Sequence, residues 1–152
     1  MTGSLNETPA AGPRELFERW QRMVLGNDAD TLGELSSADV ILETPFAPPG
    51  HPRRIEGREQ FLAFARPRRP ALPARFEEFR NVIVHDTGDP DVIVAEYELA
   101  GTVTTTGMRA SAPFIVVLTA REGEIIRWRE YQDTLGMAIS LGQLPALLAS
   151  VS

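Results

Sequence analysis

Glu124-Ile125-Ile126-Arg127-Trp128-Arg129-Glu130-Tyr131-Gln132 is the stretch on which the fold and its chemistry turn. Successive side chains of a strand point to opposite faces, so Ile126, Trp128, Glu130 and Gln132 share one side. Ile125, Arg127, Arg129 and Tyr131 share the other. Burying two unpaired arginines is costly, so the face carrying Trp128 is predicted to look inward. That sets the Glu130 carboxyl among apolar walls, where loss of water penalises the charged form and raises the pKa toward neutrality. Gln132 is placed to orient a substrate carbonyl or a water. The competing reading is that an arginine neutralises Glu130 and the pair only holds the sheet.

The same period of two extends upstream. It predicts strands over Phe76–Val84, Val92–Thr104 and Ser111–Ala120, with turns at Gly88–Asp89–Pro90, around Gly107 and at Glu122–Gly123. Nearer the N-terminus the period is helical: after Pro13, the residues Leu16, Trp20, Met23 and Val24 form an apolar stripe that ends near Gly26. Asp28 can cap a short helix carrying Leu32 and Leu35. A strand, Val40–Phe46, and a Pro/Gly loop, Ala47–Arg54, follow. A third helix opens at Gly57–Arg58–Glu59 and carries Phe61, Leu62 and Phe64; Arg66 to Arg75 reads as irregular. Leu135 to Leu148 is predicted helical, interrupted by Gly142 and Pro145 and capped by Asp133 or Thr134. Helices first and long antiparallel strands afterwards make an α+β domain with a pocket between the two. One domain is expected over residues 14–152, with residues 1–13 as a flexible tail.

Composition narrows the function. The 152 residues contain no cysteine and no lysine, which removes thiolate metal sites, disulfides and Schiff-base lysine chemistry. A net charge of −6 argues against nucleic acid. Arg66, Arg68, Arg69 and Arg75, broken up by prolines, read as solvated. No apolar run approaches the ~18–20 residues of a membrane span, and Met1–Pro13 lacks the pattern of a signal peptide. A cytoplasmic protein of a GC-rich bacterial genome is the expectation.

Three strings, in this order and spacing, resemble the nuclear transport factor 2-like superfamily, in particular its ketosteroid isomerase and SnoaL-like polyketide cyclase branches. They are Gly26–Asn27–Asp28, Glu43–Thr44–Pro45–Phe46 running on to Gly57–Arg58–Glu59, and Trp128–Arg129–Glu130–Tyr131–Gln132–Asp133. The resemblance covers about residues 14–140. It implies a cone-shaped curved antiparallel sheet wrapped over about three N-terminal helices (a cystatin-like α+β barrel), a hydrophobic pocket, a homodimer formed through the sheet, and acid–base chemistry without cofactors. The isomerase base position falls at Thr44, which has no accessible pKa; its tyrosine donor falls at Trp20 and its acidic donor near Ile115. A conventional ketosteroid isomerase is therefore not expected. Limonene-type epoxide hydrolases place an acid at the position of Glu130, with their arginine and second acid near Glu96 and Glu98. The phenazine-biosynthesis A/B proteins carry an acid–base glutamate at the Glu130 position too.

The candidate site is thus Glu130 as general acid/base, assisted by His51, whose residue type is suited to moving protons near neutral pH. Trp20, Thr44, Phe46, Phe61, Phe114, Trp128 and Gln132 are expected to contact ligand. Glu96 and Glu98 are predicted to face outward, paired with Arg127 and Arg129, and to enter the pocket only if a β-bulge reverses their parity. The two distant histidines, His51 and His85, make no metal site. The expected function is a cofactor-free isomerase, cyclase or hydrolase acting on an apolar oxygenated metabolite; the alternative is a binding or accessory protein using the same pocket without turnover.

Overall fold

A computed structural model of the chain describes residues 9–26 and 31–152. Helix α1 (Pro13–Leu25) begins on a proline, whose missing N–H costs nothing in a first turn. Its apolar stripe turns Leu16, Phe17, Trp20 and Val24 to one side, where all four are buried. Asn27 and Asp28, and with them the expected cap of the second helix, lie outside the described residues, as do residues 1–8 of the expected tail.

Helix α2 (Thr31–Leu35) runs straight into β1 (Ser36–Glu43), which begins at Ser36 rather than at Val40. The Ser36 hydroxyl donates to the Leu32 carbonyl at 2.5 Å and so closes the helical turn, while its Cα takes a register position opposite Ile125. A short strand, β2 (Arg54–Glu56), pairs with β1 where the sequence indicated only loop; three residues are too few to show a period. Gly57 has φ +94 and donates its N–H to the Val40 carbonyl at 2.8 Å, a turn that glycine permits. It leads into α3 (Arg58–Arg68), which continues past Arg66 because Pro67 sits one residue from its end and disturbs only its last turn.

The remaining strands are β3 (Ala74–Asp86), β4 (Val92–Val103), β5 (Arg109–Arg121) and β6 (Glu124–Gln132), each antiparallel to the next. Strand order is β2-β1-β6-β5-β4-β3. The fold is α+β, with N-terminal helices against a six-stranded, curved sheet that does not close on itself. One pairing departs from the antiparallel expectation, because β1 lies parallel to β6. The inward side chains of the sheet, among them Ile93, Ala95, Tyr97, Val116, Leu118 and Trp128, pack against the buried stripe of α1.

After β6, Asp133 caps α4 (Thr134–Ser140) by accepting from the Gly136 N–H at 2.9 Å. Gly142, with φ +69, separates α4 from α5 (Leu144–Ala149), and Pro145 occupies the first turn of α5. Among the described residues no helix is long and apolar enough to cross a membrane.

Candidate active site

The alternation of β6 is interrupted once. Thr119 pairs with Arg127 but Ala120 with Ile125, which leaves Ile126 as an extra residue at a bulge. Ile125, fully buried, takes the inward place expected for Ile126, and Ile126 lies instead beside Asp91 and Arg121 on the surface. From Trp128 onward the alternation holds, with Trp128, Glu130 and Gln132 facing in.

Beneath that face lies a cavity of about 330 Å³. Trp20, Phe61 and Trp128 form apolar walls, with the two indole rings 4.8 Å apart between centroids. Glu130, Gln132 and Thr44 supply its polar groups, and His51 reaches it from the loop after β1. The His51 ring stands edge-on to Phe64, another wall residue, at 6.2 Å. Gln132 donates to the Thr134 hydroxyl at 3.1 Å, and that hydroxyl donates to the Phe46 carbonyl. This chain of bonds ties the loop at the mouth of the cavity to the end of β6.

Two expected ligand contacts lie elsewhere. Phe46 is 59% exposed and packs edge-on against Tyr131 on the outer face of the sheet, since the Thr134 bond fixes its backbone and leaves the ring outside. Phe114 points inward, but its ring stacks on Tyr97 at 5.3 Å and borders a smaller slot near Leu72 and Leu99. Ile115, the position matched to an acidic donor, is 42% exposed on the outer face. Glu96 and Glu98 also face outward. Glu96 bonds His85 at 2.6 Å, and Glu98 stands opposite Arg80 in register.

Arg127 and Arg129 do not pair with those two glutamates. Both reach Glu43 on the adjacent β1: Arg127 Nε donates to Oε1 at 2.7 Å and Arg129 Nη1 to Oε2 at 2.6 Å. Arg54 adds a third cation at 3.9 Å. The expectation failed because β1 lies parallel beside β6, a long-range pairing that strand parity alone does not reveal.

Glu130 is left without a cation. Among the described residues no salt bridge includes it, and its carboxyl is held by neutral donors. The buried Tyr97 hydroxyl, reaching across from β4, donates to Oε1 at 3.0 Å, and the neighbouring Trp128 indole also favours the charged carboxylate. Loss of water pushes the Glu130 carboxyl above its ordinary range, and the Tyr97 and Trp128 bonds oppose that shift only in part. Burial and the nearby carboxylate in turn hold the Tyr97 hydroxyl firmly protonated. Glu130 keeps some accessible surface because it lines the cavity.

Tyr97 lies between the outward-facing Glu96 and Glu98, so alternation alone turns it inward. A signal was available, since a buried tyrosine hydroxyl requires a partner and the only acid expected to face inward was Glu130.

The sequence profile of the SnoaL-like domain matches residues 14–128, which ends two residues short of Glu130. An uncharacterized PhzA/B-like protein of Pseudomonas aeruginosa is 32% identical over 133 residues, covering 88% of this chain and 92% of that protein. The crystal structure of a candidate isomerase from Bacillus subtilis superposes with a TM-score of 0.77 at 26% identity, over 86% of this chain and 93% of that one. A hypothetical protein with a ketosteroid isomerase-like fold from Catenulispora acidiphila superposes with a TM-score of 0.66 at 20% identity, over 87% and 95% of the two chains.

Proposed function

The chain belongs to the SnoaL-like domain family, and from that premise we propose that it is a cofactor-free acid–base enzyme acting on an apolar, oxygenated small molecule. The observation that carries this reading is an inward carboxyl with a raised pKa, held by Tyr97, in an apolar cavity and without a counter-charge. A carboxyl with its pKa raised in this way is suited to hold and release a proton, as a general acid toward a substrate oxygen or as a base toward an activated C–H or a water. Tyr97 fixes one carboxyl oxygen and hence the plane of the group, so the proton is presented in a set direction. The indoles of Trp20 and Trp128, packed on each other at 4.8 Å, present apolar aromatic wall to a ligand on one side, and Gln132 and His51 offer polar contacts at the mouth. Isomerisation, cyclisation, dehydration and epoxide opening all need this equipment.

The loss of an ionisable group at Thr44 favours a second reading, a carrier that binds the same ligand class without turnover. Glu130→Gln separates the two. Ring-sized epoxides, cyclic enones and polyketide-like phenols are screened by thermal shift, since binding to the folded state raises apparent stability; hits are then assayed for product. In an enzyme the variant keeps ligand affinity while turnover falls by about 10²–10⁴-fold. Unchanged turnover rejects Glu130 as the proton-transfer group.

The outer face suits a second copy of the chain. Ile83 and Ile115 lie exposed there around a groove of about 450 Å³, with Phe46 at its border. We propose a homodimer through this face, for which sedimentation of a single monomeric species in analytical ultracentrifugation is the contrary result.

A further inference from the structure

The cavity beside Glu130 has a neighbour across its mouth. Pro48, His51 and Gln132 belong to its wall and also to the wall of a second chamber of about 580 Å³. That chamber lies between the Pro48–Pro49 loop and the C-terminal helices α4 and α5. Met137, Leu141 and Leu147 give it a hydrocarbon lining, and Gln143 and Ser150 stand among its polar residues. Leu72, Met137 and Leu141 line in addition a narrow apolar slot of about 100 Å³ that continues toward Phe76 and Leu99 on the sheet. Chemistry thus changes along the path: aromatic walls and one acid inside, a polar neck at His51 and Gln132, and aliphatic walls beyond. A compact ring compound fills the first chamber and has no use for the third zone.

We propose that the outer chamber is a tail site: a ligand whose ring lies beside Glu130 passes an alkyl or acyl chain between His51 and Gln132 and lays it along α4 and α5. The inference rests on the reading of the inner cavity as a ligand site and adds the substrate class, ring compounds bearing a long aliphatic substituent. The proposed occupant is a small molecule because the outer chamber adjoins the inner one, with Pro48, His51 and Gln132 lining both. Hydrocarbon is the matching chemistry, because burying each methylene from water gains affinity without any polar partner.

The probes are phenol, 4-butylphenol and 4-octylphenol, titrated against the full chain. Trp20 and Trp128 are the only tryptophans of the chain and both line the inner cavity, so quenching of their fluorescence reports ring binding there. Affinity should rise along the series by roughly three- to fourfold for each methylene that is buried. Ala146 is exposed and borders the outer chamber, so Ala146→Asp sets a charge in the tail path at a surface position. This variant should weaken 4-octylphenol at least tenfold and leave phenol unchanged. Ala146→Phe should shorten the site, keeping the gain for the butyl chain and losing it for the octyl chain; its far-UV circular dichroism checks the fold. Phenol binding without a chain-length gain in the natural protein, or a gain untouched by both substitutions, overturns the tail site alone. No binding of any probe overturns the tail site and the inner-cavity reading together.

Discussion

Glu43 and Glu130 stand on neighbouring strands and both are withdrawn from water, yet they are treated in opposite ways. Glu43 faces outward from β1 and is met by Arg127, Arg129 and Arg54. Glu130 faces inward from β6 and is met only by neutral donors. Burial by itself therefore assigns no role to an acid; the counter-charge does. A carboxylate held by two arginines at hydrogen-bond distance fastens two strands. One that is desolvated without a cation has its neutral form favoured and its pKa raised.

This contrast is open to attack from both sides. The largest effect belongs to the crossed pair of substitutions. Glu43→Gln should leave ligand binding and turnover close to natural while lowering unfolding free energy by about 2 kcal/mol, since its arginine partners are only partly buried and recover some hydration. Glu130→Gln should do the reverse, with turnover lost and stability held or raised. If both glutamates behave alike in denaturant titrations and in assays, the contrast is broken.

Tyr97→Phe comes next. Loss of the hydroxyl should cost about 1 kcal/mol of stability and move the Glu130 carboxyl further up, because the bond it removes is one that lowers its pKa. The limb of the pH–rate profile that reports Glu130, acidic if it acts as base and basic if it acts as acid, should shift to higher pH, whereas a merely structural tyrosine would leave that limb in place.

The smallest effect is the pH dependence of folding. Glu130 binds its proton more tightly folded than unfolded, so between its ordinary value and its raised value the native state holds more protons. Its contribution to stability is therefore greatest at low pH and declines as pH rises through that window. The difference in unfolding free energy between natural protein and Glu130→Gln, followed through that window, should show the decline. A flat difference would mean that the carboxyl is solvated.

The sequence made the fold legible because the change from helical period to strict alternation is strong over long stretches, and long periodic elements resist local exceptions. The direction of Glu130 was legible for a narrower reason: the bulge falls at Ile126, upstream of Trp128, so the parity of the last five residues of β6 survived it. Had the extra residue fallen between Trp128 and Glu130, the same reasoning would still have pointed the carboxyl inward while the chain turned it outward. Hidden from the sequence were features that depend on contacts far apart in the chain. The pairing of Glu43 with Arg127 spans 84 positions, the bond from Thr134 that turns Phe46 outward spans 88, and Tyr97 reaches Glu130 across β5. Strand β2 was missed for want of length.

The parallel pairing of β1 with β6 has a bearing on the order of assembly. A strand made early in synthesis must wait for one made near the end, and such non-local closure is slow because loop entropy is spent before the contact forms. Until β6 docks, the emerging chain has helices and a meander but neither the Trp128 wall nor the Glu130 acid. Competence to engage a ligand therefore arrives in one late step, and a nascent chain stalled short of residue 124 would be stable only as far as its β3–β5 meander and helices allow, with no partial activity to offer.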